Sequence, residues 1–157
     1  MEMDFFWKII DREQAKAMNP VVLAYVGDSV QMLYIRTRLA LLHDCKSGKL
    51  HKLTSLSVNA AAQAETFEKI KTLLTEEETD IYKRARNSKT QSAAKNARIT
   101  DYRKATGLEA VIGYLYLTGN YDRLDIILLK STQIDNNNDI SKDKIKIEKT
   151  DNNFQGE

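Results

Sequence analysis

Two carboxylates stand in the most apolar parts of this chain, and their setting makes them the first candidates for chemistry. Asp28 lies in PVVLAYVGDSVQMLYI (20–35), and Glu109 lies in ATGLEAVIGYLYL (105–117). Both stretches are apolar nearly all the way round, the pattern of helices buried on most of their surface. A carboxylate taken out of water is costly unless something pairs with it. Neither stretch offers a cation within one helical turn of its acid. The expected partners are therefore each other across the fold, plus a bound cation. A hard ion such as Mg²⁺ takes a few carboxylates, keeps several waters and binds substrate phosphate in its remaining positions.

Each acid also has a plainer reading. Gly27-Asp28 can break the run, with Asp28 capping a helix that starts at Ser29. Against this, Ala24, Asp28 and Ile35 share a face of a helix that Asn19-Pro20 already starts, with an N-cap residue followed by proline at the first helical position. Glu109 shares a face with Ala105, Ile112, Gly113 and Tyr116, which can be a polar edge turned to solvent. Leu108, Val111 and Leu115 point elsewhere into the core, and Gly113 clears space beside the carboxylate. Two such helices in one small chain favour an acidic metal pocket.

A third feature is charge placement. From Lys83 to Lys104 the bases are Lys83, Arg84, Arg86, Lys89, Lys95, Arg98, Arg103 and Lys104, against the single acid Asp101. Glu76, Glu77, Glu78 and Asp80 crowd the turn before. One strongly basic segment in a nearly neutral chain suits a polyanion, although a solvated face has the same composition. Asn87, Ser88, Thr90, Gln91 and Asn96 are interleaved and suit phosphate or ribose hydroxyls. No aromatic ring occurs in residues 83–101, so a duplex read by shape fits better than stacked single-stranded bases.

The elements that must position these groups are helical. There is one proline in 157 residues, and strand-like alternation is nearly absent. Phe5, Phe6, Ile9 and Ile10 suggest a short docking helix. A helix from Pro20 to about Leu42 carries Leu23, Val26, Val30, Leu33 and Leu41 as one stripe, interrupted by Gly27. After a loop at 43–49, a helix spans about Leu50 to Leu74, with Ala60, Ala61, Ala62 and Ala64 at its middle. Thr75-x-x-Glu78 is a capping box, which starts a helix at Glu76 that reaches about Asn87. Residues 87–99 read as a loop. Thr100 or Asp101 caps the next helix, which ends at Gly119. Asn120 caps the last, with Leu124, Ile127 and Leu128 on one face. The fold class is all-α, about six helices, over residues 1–130. Residues 131–157, rich in Asn, Asp and Lys, read as a disordered tail.

The composition excludes little. The chain is 42% hydrophobic and 29% charged with net charge +2, so bulk charge alone announces no polyanion. Its one cysteine, Cys45, permits no internal disulfide, which suits a reducing cytoplasm. His43 and His51 lack the company of a zinc site. No signal peptide and no membrane span are read.

These residues resemble a known family. LAYVGDSVQMLYIRTRL (23–39) resembles the signature helix of the ribonuclease III endonuclease domain, and ATGLEAVIGYLYL its second motif. Ala24 to Asp28, Val58 to Ala64, Arg86 to Lys89 and Tyr102 to Ala110 are similar to hallmarks of its short subfamily, Mini-ribonuclease III. The resemblance covers about residues 18–130. It implies the helical bundle of that domain, with Asp28 as the catalytic, metal-binding acid and Glu109 as the second metal ligand for Mg²⁺. The wider family has two further acids, where this chain has Ala24 and Thr106; Thr106 would serve as an outer-shell group. No double-stranded-RNA-binding domain fits after residue 130. RNA contact is then expected from Lys83, Arg84, Arg86, Asn87, Lys89, Lys95 and Arg98. The resemblance further implies a homodimer built on the signature helices, hydrolysis of double-stranded RNA to 5′-phosphate products, and a role in maturing large-subunit ribosomal RNA. A non-catalytic RNA-binding or ribosome-assembly module of the same fold is the competing reading, and a helical dimerisation protein a third.

Overall fold

The computed structural model describes residues 9–42, 46–57, 66–88 and 99–132. Their regular structure is entirely helical: α1 (Arg12–Ala17), α2 (Pro20–Leu42), α3 (Ser47–Ser57), α4 (helical at 66–70), α5 (Glu76–Arg86), α6 (Ile99–Leu117) and α7 (Tyr121–Ser131). None of these helices is long and apolar enough to cross a membrane.

α6 is the axis of the fold. Every residue from Ala105 to Leu115 is buried except Glu109, which is half-buried. α2 makes the most extensive contact with it, followed by α5, and α7 and α1 also touch it. Leu23, Ile81, Leu108, Ile112, Leu115 and Ile127 form the fully enclosed centre. A helix apolar on all sides is stable in water only when surrounded in this way.

Helix boundaries follow local chemistry. Asn19 Oδ1 accepts from the Val21 N–H at 2.9 Å and opens α2. The capping box is complete: Thr75 Oγ1 accepts from the Glu78 N–H at 3.2 Å, and Glu78 Oε2 accepts from the Thr75 N–H at 2.9 Å. At the end of α6 the Asn120 N–H reaches Leu115 O at 3.0 Å and the Gly119 N–H reaches Tyr116 O at 3.1 Å. That double closure requires a left-handed residue, and Gly119 supplies it with φ of 70°. Asn120 holds the N-cap position of α7 by its backbone alone.

Several expectations change. α2 is continuous through Gly27 and Asp28, so Asp28 caps nothing. The expected stripe divides: Leu23 is core, but Leu33 and Leu41 are 68% and 82% exposed, while Ile35 and Leu39 are buried. Thr100 and Asp101 lie inside α6, which begins at Ile99. α3 begins at Ser47 rather than Leu50. Ile9 and Ile10 are not helical; the first described helix follows them, capped by Asp11, whose carboxylate accepts from the Glu13 N–H at 2.9 Å. Phe5, Phe6, His43, Cys45, the alanines at 60–64 and the tail from 133 lie outside the described residues.

Two ionic assemblies tie the helices together. Glu77 on α5 pairs with Arg12 at 2.8 Å and Lys16 at 3.5 Å on α1, and accepts the Tyr114 hydroxyl of α6. Glu78, only 3% exposed, is gripped by Arg123 of α7, which also donates to Leu73 O.

Candidate metal centre and nucleic-acid interface

α2 and α6 meet backbone to backbone. A methyl group built on Gly27 would lie 1.7 Å from the carbonyl oxygen of Glu109, and one on Gly113 would lie 2.0 Å from the carbonyl oxygen of Leu23. Only glycine permits this approach. The contact joins the two acidic motifs directly: Asp28 follows Gly27 in the chain, and Glu109 supplies the carbonyl that Gly27 abuts. From sequence, Gly113 reads as a space-maker and Gly27 as an interruption. The structure gives both the same task.

The two acids differ in setting. Asp28 is exposed on α2, not withdrawn from water as the apolar sequence around it suggests. The reason is that much of that apolar character lies on an outer face, where Val22, Tyr25 and Leu33 are 45%, 77% and 68% exposed. Glu109 is half-buried, the one interruption in the buried run of α6. Oxygen donors of this kind, one reachable from solvent and one backed by protein, suit a hard divalent cation that retains waters. Among the described residues no three His, Cys, Asp or Glu side chains gather in one place.

Ala24 and Thr106 are both buried, at 4% and 6% exposure. The Thr106 hydroxyl donates to Tyr102 O at 3.0 Å, one turn back in its own helix. Its oxygen keeps acceptor capacity. Gln31, one turn beyond Asp28, has no sequence signal of its own. The residue is 2% exposed, and a polar side chain buried that deeply helps to fix the local packing of α2.

The basic residues divide into tied and untied groups. Arg84 donates to Lys16 O at 2.6 Å and Met18 O at 3.1 Å, so its guanidinium closes the C-terminal end of α1. Lys104 pairs with Glu68 at 2.9 Å. Lys83 and Arg86 are exposed on α5. Arg86 bonds the neighbouring Asn87 Oδ1 at 3.2 Å and lies over the Tyr82 ring, 6.0 Å from its centroid. Tyr82 in turn fits the notch at Gly107, where a methyl group would meet the ring at 2.5 Å. The basic end of α5 is thereby seated on α6 two residues from Glu109. Lys89, Lys95 and Arg98 lie outside the described residues.

Tyr82 and the Glu78–Arg123 pair have no strong sequence signal. Burial pushes the Tyr82 phenol up to about 12, and its hydroxyl has no hydrogen-bond partner within bonding geometry among the described residues. Its ring stacks on Phe67 with centroids 3.8 Å apart and planes 1° from parallel. For Glu78, burial pushes the carboxyl upward, but the Arg123 bonds and the Thr75 N–H outweigh it and hold the group below the usual carboxylate range.

Comparison with known proteins bears directly on this arrangement. Residues 21–120, which include both acids, match the family described as Ribonuclease III domain. A protein named Mini-ribonuclease 3 from Thermoanaerobacter sp. (strain X514) is 43% identical over 81% of this chain and 89% of its own length. Its namesake from Clostridium tetani is 45% identical over 82% of this chain and 85% of its own. A crystal structure of a protein from Fusobacterium nucleatum superposes with a TM-score of 0.65 at 33% identity, covering 72% of this chain and 90% of that one.

Proposed function

This chain belongs to the ribonuclease III family, an endoribonuclease acting on double-stranded RNA, and we propose that Asp28 and Glu109 form its Mg²⁺ site. The observation that carries the proposal is the Gly27–Glu109 backbone contact, which brings the two acidic motifs together. When bound, the ion supplies Lewis acidity that acidifies water and offsets charge building on the scissile phosphate.

The chain's own residues do the rest. Asp28, exposed, faces incoming substrate and solvent, while Glu109, half-buried, anchors the site against α6. Lys83 and Arg86, exposed on α5, follow a phosphate backbone and set its register without reading sequence. Arg84 supports them by fixing α1 against α5. Lys89, Lys95 and Arg98 add positive charge to the same stretch of sequence, and Thr106 orders the surroundings of Glu109.

The chain works as a homodimer. Val22, Tyr25, Leu33 and Leu41 give α2 an exposed apolar face of the kind that a two-fold interface covers. Such a dimer carries two Asp28–Glu109 pairs, one for each strand of a duplex. The substrate is the precursor of large-subunit ribosomal RNA, in the cytoplasm, cleaved to 5′-phosphate and 3′-hydroxyl ends. The relatives named Mini-ribonuclease 3 support the ribonuclease activity on which this substrate reading rests.

Asp28→Asn keeps the shape of the side chain and removes its charge. Incubation of both proteins with duplex RNA, with and without Mg²⁺, is expected to show cleavage by the parent chain alone. Mg²⁺-dependent cutting retained in the variant, with its helicity unchanged, would refute the role given to Asp28.

A further inference from the structure

We propose that Gly27 and Gly113 are positioning residues, a fixed spacer that sets the separation of the Asp28 and Glu109 carboxylates and thereby selects the cation by size. The inference rests on the metal-site reading above and goes beyond it in assigning cation choice to two residues that carry no donor atom.

Three observations support it. First, what a side chain at either glycine would strike is backbone: Glu109 O at 1.7 Å and Gly113 N at 2.8 Å for Gly27, Leu23 O at 2.0 Å for Gly113. No rotamer change relieves such a clash, so a larger residue must drive the helices apart by more than an ångström. Second, both acids sit at the contact, since Asp28 is the next residue after Gly27 and Glu109 owns the carbonyl. Third, α6 has little freedom to absorb a shift. Tyr82 wedges into Gly107 on the α5 side, and Leu108, Val111 and Ile112 are fully buried.

Magnitudes decide the consequence. Mg²⁺ demands oxygen ligands at about 2.0–2.1 Å in near-octahedral geometry, whereas Ca²⁺ accepts about 2.3–2.6 Å with more freedom. The difference between the ions is a few tenths of an ångström. A displacement of more than an ångström exceeds it, so a helix spacing held by two glycines is fine enough to bear on which ion fits.

The test is thermal unfolding of the full chain titrated separately with MgCl₂ and CaCl₂, since a ligand that binds only the native state raises the midpoint. For Gly113→Ala and Gly27→Ala, the Mg²⁺ concentration giving half-maximal stabilisation is expected to rise at least tenfold, and that for Ca²⁺ by less. Gly48→Ala, at a position on α3 with nothing among the described residues within 4 Å, is expected to leave the ratio unchanged. An unchanged Mg²⁺-to-Ca²⁺ ratio in both contact variants overturns the proposal.

Should the alanine variants fail to fold, Asp28→Glu decides. Asp28 is exposed on a helix, so the longer acid is tolerated, but a rigid gap cannot adapt to the extra methylene. A tenfold or greater loss of Mg²⁺ stabilisation supports the spacer, and an unchanged midpoint refutes it. If the parent chain responds to neither ion, the metal-site reading itself falls, an outcome distinct from a parent that responds and variants that keep its ratio.

Discussion

Glu78 and Arg123 form a two-bond ion pair in which the carboxylate is almost wholly enclosed: Nε donates to Oε1 at 2.8 Å and Nη2 to Oε2 at 2.7 Å. The pair locks α7 to the first turn of α5. Removing one partner leaves a buried charge behind, which is far more damaging than losing a surface bridge. Arg123→Met is therefore expected to destabilise the fold by about 3 kcal/mol or more. Urea unfolding followed by circular dichroism measures it, and a change below about 1 kcal/mol would mean that Glu78 finds water or another donor.

Acid is expected to weaken the protein through two carboxylates. Lys71, with a further bond from Lys104, holds the Glu68 carboxyl at about 2. Glu78 is pushed up by burial and pulled further down by Arg123 and Thr75. Both native-state values lie below the ordinary 4.5. Their stabilisation is therefore complete above that value and is lost as pH falls from about 4.5 towards 2. Lys104→Met is expected to shrink the acid loss, which urea midpoints between neutral pH and about 2 report. An identical pH profile in the variant would show that the Lys104–Glu68 bond contributes nothing.

The basic residues of α5 are expected to separate into two kinds. Arg84→Ala removes the donors to Lys16 O and Met18 O and is expected to lower stability by about 1 kcal/mol. The double variant Lys83→Ala, Arg86→Ala is expected to leave stability nearly unchanged. It should also flatten the salt dependence of duplex-RNA affinity, by about one unit for each phosphate that is no longer neutralised. Affinity measured across a salt series distinguishes the two kinds. A steep slope retained in the double variant would place the RNA on another face.

The exposed side of α2 gives a test of assembly. Leu33→Asp and Leu41→Asp put a charge on side chains that are 68% and 82% exposed in the single chain, so the protomer fold is expected to survive. Sedimentation is expected to show dissociation to monomers for at least one of them. A dimer unaffected by both would exclude this part of α2 from the interface.

What is legible in the sequence is local. Asn19-Pro20, the Thr75–Glu78 box and Gly119 each act within one helical turn, and each marks its boundary in the structure. That the two acidic motifs lie on helices packed against each other is also legible, because two stretches so apolar demand a packing partner. Three things are not. The Arg84 bonds to α1 span 66 and 68 residues and the Arg123–Glu78 bond spans 45, and no short pattern announces either. The exposure of Asp28 is hidden because an apolar face turned outward has the same composition as one facing a core. The role of Gly27 is hidden because a glycine in a helix reads first as a weakness, and only the opposing helix shows why a hydrogen is required there.

The Phe67–Tyr82 stack has a spectroscopic consequence. Two rings 3.8 Å apart and parallel shift each other's proton resonances strongly upfield, and close packing slows their flipping. Because Tyr82 also presses on Gly107, those resonances report the seating of α5 on α6 from a point two residues away from Glu109. The fold thus contains a built-in nuclear magnetic resonance probe, which can follow cation and RNA binding without a label attached to either acid.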